Sequence, residues 1–535
     1  MWIERISISN FRSYGPTAQI VSAQPGLNVI VGENNTGKST ILAAVQSARS
    51  HGELGSTDRP WGAEGNPPRI EVTVRIDPRE SEFLYNQIFW PILSEVQRAH
   101  NLDPTVDQIA MLKKQFCEVL VFRSWTTTLF GGFSLDGQRI VFPDTGPQHA
   151  LPDALSTILG ERRDPGAFFK GMNGSLDFHN NVSAALDNFF ASNTRAFADI
   201  RQRPQGLGSG GSGVEESFGG NATADLLMNL KNGSIQQREK YRTIQQRFTS
   251  FFPSLELEVV GSQGGQPSIV FNRKGRAFDI PPDQTGTGVF EILTILTNLE
   301  GRSGFILFIE EPGSHLHPQG QRALQRLILE SSKLNQVFVL THSPEFVNWV
   351  DLKGFTRVWM KDGVTYLSPF PSRLTVNEEA ALIEALRDIE KREMLFARAV
   401  LLVEGETERA FLSEVAPKLG INLDALGISL VSVDGEDQYM PYIRFLDSLM
   451  IPFRCVRDKP GGGSASEFQK FFKFAGGEFE DVITKAGCGA WLRDAEAGRS
   501  KVRKGRYIGR KIDAASIPPV YTDSLKEIEA VAKTI

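Results

Sequence analysis

Hydrophobic and polar positions follow two periodicities along the chain, one typical of strands and one typical of helices. Residues 3–11 (IERISISNF) alternate as a strand does, and residues 26–32 (GLNVIVG) form a short apolar run that ends in a glycine-rich loop. Helical spacing follows in residues 40–48 (TILAAVQSA) and again in residues 222–252. After that, short strands alternate with helices up to Ile535, which predicts an α/β fold with parallel sheets.

Two breaks in this pattern predict the domain organisation. Helical spacing without intervening strands predicts a helical insertion at residues 152–205, which ends in a glycine- and serine-rich linker and is where we expect subunit contacts. The pattern then restarts with an apolar strand in residues 399–412 (AVLLVEGETERAFL). We therefore predict a first domain over residues 1–395, interrupted by the insertion, and a second over residues 396–535.

Composition narrows the class of protein. Of the 535 residues, 41% are hydrophobic and 10% aromatic, enough for two or three globular cores. The three cysteines lie far apart and form no CxxC pair, which argues against disulfides or a cysteine-rich zinc site and favours a reducing cytoplasm. No apolar run is long enough to cross a membrane. The net charge of −5 means that any surface that binds nucleic acid must be a basic patch confined to part of the protein.

A phosphate-binding loop follows the second strand. Residues 32–39 (GENNTGKS) fit the pattern GxxxxGK[ST] between an apolar strand and a helix. Glycines let backbone N–H groups face phosphates, Lys38 supplies positive charge and the Ser39 hydroxyl can ligate Mg2+. The nucleotide-binding residues predicted here are Gly32, Asn35, Gly37, Lys38, Ser39 and Thr40.

A second acidic element lies far downstream. Residues 305–312 (FILFIEEP) predict a buried strand that ends in Glu310 and Glu311. This resembles a Walker B strand, in which the first acid holds the metal and the second polarises the attacking water. Glu310 stands where such strands usually have Asp.

Together these motifs resemble the ABC ATPase heads of the SMC and RecF type. Residues 284–289 (QTGTGV), with Gly286 and Gly288, match the signature loop in position but depart from LSGGQ. Residues 314–318 (SHLHP) match a D-loop, and His342 matches the switch histidine.

The resemblance also assigns Arg12, in the element Asn10-Phe11-Arg12, to the nucleotide site, and it implies a dimer that sandwiches ATP. Alternatives stay open for the histidines: His315 and His317 could be a metal pair or solvated turn residues, and His342 a packed core residue.

A second cluster of acids is predicted in the C-terminal domain. Glu404 closes a strand and Glu408 lies about one helical turn further on, while Asp434 and Asp458 each end a later strand. Carboxylates that converge at strand ends repel one another unless a divalent cation neutralises them. Mg2+ or Mn2+ suits an all-oxygen ligand set.

This pattern resembles a Toprim domain. An SMC-like head followed by a Toprim domain that begins LVEGxTE is similar to the OLD family, which includes the Gabija nuclease subunit. The resemblance implies one metal site at Glu404, Glu408 and Asp458, and a second at Asp434 and Glu436. Pro460 stands where the usual DxD would place its second acid, which puts the second metal in question.

A basic segment completes the candidate site. Residues 501–511 (KVRKGRYIGRK) contain six basic residues and no acid, so they can contact phosphates, although such a run can also be a solvated face. The OLD resemblance implies a lysine near the scissile phosphate, and Lys504 is the first candidate, with Lys511 second.

The leading hypothesis is an ATP-regulated, metal-dependent DNA endonuclease with Glu404, Glu408, Asp458, Lys504 and Glu311 as catalytic residues. The resemblance implies DNA as substrate, ATP and Mg2+ or Mn2+ as cofactors, a homodimer or larger homo-oligomer, and a role in prokaryotic defence against phage. A separately encoded helicase is an open partner. The alternative is a non-cleaving SMC- or RecF-like DNA clamp with a degenerate Toprim domain. A topoisomerase or primase would need a further catalytic or template-binding module.

Overall fold

The computed structural model describes most of the chain. The described residues are 1–50, 67–76, 78–86, 121–125, 132–135, 138–140, 188–197, 220–261, 267–274, 279–280, 284–347, 352–370, 374–435, 438–459, 466–496 and 500–534, with a few single residues such as Asp58. Two compact units result: Met1–Val29 with Gly37–Thr341, and Ile30–Thr36 with His342–Ile535. None of the described helices is long and apolar enough to cross a membrane.

The strands, in chain order, are β1 (Trp2–Ser9), β2 (Gln19–Ser22), β3 (Leu27–Val31), β4 (Arg69–Arg75), β5 (Val121–Trp125), β6 (Gly132–Leu135), β7 (Gln138–Ile140), β8 (Thr194–Phe197), β9 (Leu255–Val260), β10 (Ser268–Arg273), β11 (Asp279–Ile280), β12 (Ile306–Glu310), β13 (Gln336–Thr341), β14 (Phe355–Lys361), β15 (Val364–Pro369), β16 (Ala399–Val403), β17 (Ile428–Ser432), β18 (Phe453–Arg457) and β19 (Phe472–Phe474).

The α-helices are α1 (Lys38–Ser50), α2 (Pro78–Leu84), α3 (Gly220–Asn232), α4 (Ile235–Phe251), α5 (Thr287–Gly301), α6 (Pro318–Ser331), α7 (Val376–Ala385), α8 (Ile389–Arg392), α9 (Glu406–Val415), α10 (Tyr439–Ser448), α11 (Phe479–Ile483), α12 (Gly489–Glu496), α13 (Lys501–Lys511) and α14 (Pro519–Lys533).

The first unit combines antiparallel and parallel sheets. One antiparallel sheet has the order β2-β1-β4-β5-β6-β7, and a smaller one has the order β11-β10-β9. In β1, Ile3, Ile6 and Ile8 are buried, as the alternating sequence predicts. A further run of neighbouring strands, β3-β13-β12-β8, contains β12, which pairs in parallel with both β13 and β8. Near-continuous apolar sequence in β12 and β13 fits strands covered on both faces.

The predicted helical insertion differs from the structure at its C-terminal end. Residues 188–193 are helical, but Thr194–Phe197 form strand β8, and the rest of residues 152–205 lies outside the described residues. Thr194 and Ala196 are buried where β8 pairs with β12. Pairing with a neighbouring strand therefore outweighs the local helical pattern, because the ladder satisfies backbone groups that sequence spacing alone does not reveal.

The second unit contains an antiparallel hairpin and a parallel sheet. Strands β14 and β15 are joined by Asp362 and Gly363, both with positive φ, as a tight hairpin turn requires. The four-stranded sheet has the order β17-β16-β18-β19 and is parallel throughout. Every residue of β16 is buried. The longer segment of this unit begins at His342, ahead of the predicted boundary at residue 396, whereas strand β16 of the parallel sheet begins at Ala399.

Two glycines bring helix α13 against the backbone of helix α9. A Cβ at Gly505 would overlap the carbonyl oxygen of Thr407, and a Cβ at Gly509 would lie 2.8 Å from Cβ of Glu414. Both glycines are buried, and Ile508 between them is in the same hydrophobic core as Phe411 of α9. The spacing of four residues puts both on one helix face, so the two helices approach at backbone distance.

We expect Gly505→Ala to destabilise the second unit by about 1–3 kcal/mol, because the added methyl overpacks a backbone-to-backbone contact that cannot yield locally. Thermal unfolding followed by circular dichroism measures the change. Gly261→Ala is the matched control, since its added Cβ would meet only the side chain of Met228, at 3.6 Å. Equal melting temperatures for the two variants would contradict the packing described for α13.

Candidate functional site

The phosphate-binding loop follows β3 and leads directly into α1. Asn35 and Gly37 both have positive φ, and the Thr36 hydroxyl donates to the carbonyl oxygen of Glu33 at 2.9 Å. Gly32 has no room for a side chain, because a Cβ there would overlap the carbonyl oxygen of Val358. The loop therefore depends on glycine for close approach at one end and for backbone conformation at the other.

The structure brings the two acidic residues at the end of β12 to the start of α1. The buried Lys38 ammonium lies 3.9 Å from Oε1 of Glu311, and the Ser39 hydroxyl donates to Glu310. The Thr341 hydroxyl donates to Oε2 of Glu311 at 3.1 Å. A serine hydroxyl beside a carboxylate is the oxygen pair that holds Mg2+ in nucleotide sites of this kind, so these residues fit a metal–nucleotide complex. Thr40 is buried on α1.

Gly286 and Gly288, which are predicted to belong to a signature loop, lie at the start of α5. Gly286 is the N-cap residue, and a Cβ at Gly288 would lie 3.0 Å from the carbonyl oxygen of His315. The buried Glu291, which the sequence reasoning missed, accepts from the backbone N–H of Gly313 at 2.6 Å and lies 3.0 Å from Nδ1 of His315. His315 is thus tied to α5.

The other residues of the predicted head motifs have the following places. His317 caps helix α6, its Nδ1 accepting from the N–H of Gly320 at 3.1 Å. Arg12 pairs with Asp58 at 3.1 Å. His342 directly follows β13 and is exposed.

The C-terminal acids meet at the carboxyl ends of the parallel strands. Glu404 follows β16, Glu408 lies in the first turn of α9, and Asp458 follows β18. The backbone N–H of Asp458 points to Oε2 of Glu404 at 3.5 Å. Because β16 and β18 are neighbours in register, their last residues come to the same edge of the sheet.

The electrostatics of Glu408 and Asp458 reflect their acidic surroundings. Burial, together with the charges of Asp458, Glu404 and Glu480, raises the pKa of Glu408 to about 7, against a backbone hydrogen bond that lowers it. Burial, together with the charges of Glu404, Glu478 and Glu480, also raises the pKa of Asp458 to about 7. Neighbouring carboxylates thus add to the burial that opposes ionisation of Glu408 and Asp458, which is the situation a bound cation relieves.

Sequence reasoning missed Glu480. It lies in the first turn of α11, the helix that follows β19, and it accepts from the ammonium of Lys504 on α13. Its position after a strand matches that of Glu408 after β16, and this was the available signal. Lys504 is half-buried, whereas Lys511 is exposed, with its ammonium 5.5 Å from the ring centre of Tyr507. Glu480 supplies a fourth carboxylate, and Lys504 supplies a cation.

The two residues predicted for a second metal site, Asp434 and Glu436, are not part of the cluster described above. Asp434, predicted as a metal ligand, follows β17 with a φ of 61° and is ion-paired with Lys391, so it stands apart from the mutual repulsion of the other acids. Glu436 and the departure at Pro460 lie outside the described residues.

The donor set fits a hard divalent cation by its chemistry. In the part of the chain that the structure describes, no group of three or more Asp, Glu, His or Cys side chains is already arranged to hold one. The clustered donors are nonetheless all carboxylates.

The buried hydroxyl of Tyr521 lies near the same acids. It has no hydrogen-bond partner among the described residues, and the charges of Glu408 and Asp458 add to the burial that raises the pKa of Tyr521.

Comparison with known families supports both halves of the chain. Residues 395–459 match the family model "Overcoming lysogenization defect protein-like, TOPRIM domain". Residues 220–347 match an AAA ATPase domain, and residues 5–75 match an AAA domain. The chain joins an ATPase domain to an OLD-like Toprim domain. The resemblance to the OLD family predicted from the motifs is therefore confirmed, as is the α/β fold class with a parallel sheet in the Toprim domain.

Three curated relatives show how far the similarity extends. An uncharacterized protein of Methanocaldococcus jannaschii is 24% identical over 42% of this chain and 28% of its own length. The OLD nuclease of Thermus scotoductus is 28% identical over 34% of this chain and 36% of its own length. Endonuclease GajA of Bacillus cereus is 24% identical over 84% of this chain and 74% of its own length. The chain thus matches about a third of the first two relatives and most of the third.

We expect Lys38→Ala to weaken binding of a fluorescent ATP analogue by about 10- to 100-fold, because charge-assisted hydrogen bonds contribute about 1.5–3 kcal/mol each. Fluorescence anisotropy in the presence of Mg2+ measures the affinity. The exposed Lys361, on β14, offers the control Lys361→Ala, for which the affinity should be unchanged. If both variants bind equally well, the phosphate loop is not where this chain takes nucleotide.

Proposed function

We propose that this protein is an ATP-regulated, divalent-metal-dependent DNA endonuclease. The observation that carries the proposal is a group of neighbouring carboxylates at the carboxyl ends of parallel strands, with Lys504 beside one of them: Glu404, Glu408, Asp458 and Glu480. Relatives named OLD nuclease and endonuclease support the same reaction class. A structural role alone would leave the buried Glu408 beside other acids with no counter-charge of its own.

Glu404, Glu408 and Asp458 would hold Mg2+ or Mn2+, with Glu480 in place of the acid that a DxD motif would supply. When bound, such a cation activates water and stabilises the charge that develops in phosphodiester hydrolysis. Glu404, Glu408 and Asp458 would fix the position of the cation, because they lie at the ends of strands β16 and β18 and at the start of helix α9. Glu408 is 7% exposed, so its negative charge acts in a poorly solvated environment where electrostatic interactions are strong.

Lys504 would bind the scissile phosphate. Its ammonium is held by Glu480, and its helix is held on α9 by Gly505, so the charge is positioned before substrate arrives. The exposed basic residues of the same helix would contact neighbouring phosphates along the DNA backbone.

The ATPase half would bind ATP between Lys38, Ser39 and the two carboxylates of β12. Glu310 would share the metal with Ser39, and Glu311 would polarise the attacking water. Gly286 caps the N-terminus of α5, and no atom lies within 4 Å of the position that its Cβ would take. This open helix N-terminus could bind the phosphates of ATP held by a second subunit, as in a homodimer. Arg12 and His342 would contribute further contacts to nucleotide.

The wider role belongs to the same proposal. The chain would act on DNA as a homodimer or larger assembly, alone or with a separately encoded helicase, in defence against phage. Cys455 and Cys488 are free buried thiols, which favours the reducing cytoplasm as its compartment.

We expect Glu404→Ala to lower the nicking or linearisation of supercoiled plasmid by about 10²-fold or more, because a catalytic metal contributes several kcal/mol of transition-state stabilisation. Cleavage is measured on agarose gels with Mg2+ or Mn2+, with and without ATP, and binding of the ATP analogue should stay unchanged. Glu384→Ala, at an exposed position on α7, is the matched control and should cut as the wild type does.

The plasmid assay also separates the two leading functions. Cleavage that persists unchanged in Glu404→Ala would place the chemistry elsewhere. DNA binding without cleavage by the wild type, with either metal and on linear or supercoiled DNA, would favour the non-cleaving clamp.

Replacing Lys504 tests the phosphate contact separately from metal binding. Lys504→Met should reduce cleavage by about 10²-fold, the effect typical of removing one preorganised charge donor. The exposed Lys526 on α14 provides the control Lys526→Met, with cleavage close to wild type. Mn2+ affinity, measured by electron paramagnetic resonance, should not fall in Lys504→Met. A loss of metal binding equal to the loss of cleavage would show instead that Lys504 maintains the acid cluster.

A further inference from the structure

The carboxylate of Asp434 already has a cation. Lys391, on the short helix α8, donates to Oδ2 of Asp434, and the Ser432 hydroxyl donates to Oδ1 at 2.8 Å. Both carboxylate oxygens of Asp434 are therefore already held, one by a lysine ammonium and the other by a serine hydroxyl.

The burial of Lys391 makes this pairing hard to replace. Its side chain is 12% exposed, whereas that of Asp434 is 56% exposed. Beyond Asp434, the ammonium contacts Tyr442, whose ring centre lies 5.9 Å away. A metal ion that took the carboxylate of Asp434 would leave the half-buried Lys391 ammonium without this carboxylate partner. The metal ion would also lie beside the positive charge of that ammonium.

The neighbours of Lys391 fix it in this position. Glu390 pairs with Arg409 of α9 at 2.8 Å, and Arg392 donates to the carbonyl oxygen of Pro344 at 2.9 Å. Arg392 also lies 3.8 Å from Glu345, and both of these side chains are buried. Three consecutive residues of α8 are thus ion-paired, each to a different element, so the helix has little freedom to withdraw Lys391 from Asp434.

We propose that Lys391 is a positioning residue that takes the place of a second metal ion at Asp434, so that the Toprim site holds a single divalent cation on the side of Glu404, Glu408 and Asp458. This rests on the proposed function for the existence of the first metal site. The proposal limits the Toprim site to one metal ion and makes Lys391, rather than a second metal ion, the partner of Asp434.

The test counts bound Mn2+ by electron paramagnetic resonance of free Mn2+, on the full-length protein without nucleotide. Wild type, Lys391→Met, Asp434→Asn and the double variant are titrated in parallel. The wild type should bind one Mn2+ per chain, and Asp434→Asn should bind the same number. Lys391→Met exposes an unpaired carboxylate and should gain one additional, weaker Mn2+, which the double variant should lose again.

Lys391→Arg is the matched control, because it keeps the positive charge and should bind the same number of Mn2+ ions as the wild type. Circular dichroism melting of each variant establishes that it is folded at the temperature of the titration. The proposal is overturned if Asp434→Asn binds one Mn2+ fewer than the wild type, or if folded Lys391→Met binds no more than it.

The comparison is independent of nuclease activity. A wild type that binds no Mn2+ would contradict the proposed metal-dependent reaction, whereas the difference between the wild type and Lys391→Met would still decide the role of Lys391.

Discussion

The gathering of acidic side chains at one edge of the parallel sheet is the constraint around which the C-terminal half of this protein is built. Glu404, Glu408, Asp458 and Glu480 come from three strand ends and the helices that follow them, and burial together with neighbouring negative charge opposes the ionisation of Glu408 and Asp458. A fold tolerates such a cluster only where a counter-charge is supplied. The surrounding elements provide cations at fixed places, Lys504 beside Glu480 and Lys391 beside Asp434, and the proposed metal ion would supply the remaining counter-charge.

The ATPase half also brings charged side chains together from the ends of strands and helices. Lys38 and Ser39 begin a helix, and Glu310 and Glu311 end a strand more than two hundred residues away, yet they meet within ion-pair and hydrogen-bond distance. Glu291 then connects helix α5 to the turn that carries His315. In both halves, charged groups lie at the ends of rigid elements, so their geometry is set by packing that is remote from the charges themselves.

Local patterns in the sequence were sufficient for the residues that follow strands. The apolar runs before Gly32, Glu310, Glu404 and Asp458 predict both the strands and the edge at which their acids lie. Glu480 escaped this reasoning because β19 is only three residues long, too short to stand out from a loop. Strand β8 and the pairing of Lys391 with Asp434 depend on contacts between residues distant in sequence, which a single chain without its fold does not show.

The contact of Gly505 and Gly509 with helix α9 carries an implication for how this protein can change. Because backbone meets backbone there, two residues without side chains set how closely the helices approach, while Ile508 and Phe411 share one core and Arg510 pairs with Glu414 beside them. Evolution can vary the exposed positions of α13 that make none of these contacts, but it cannot enlarge Gly505 without parting the two backbones. The most constrained positions of this basic helix are therefore two that carry no charge and no side chain.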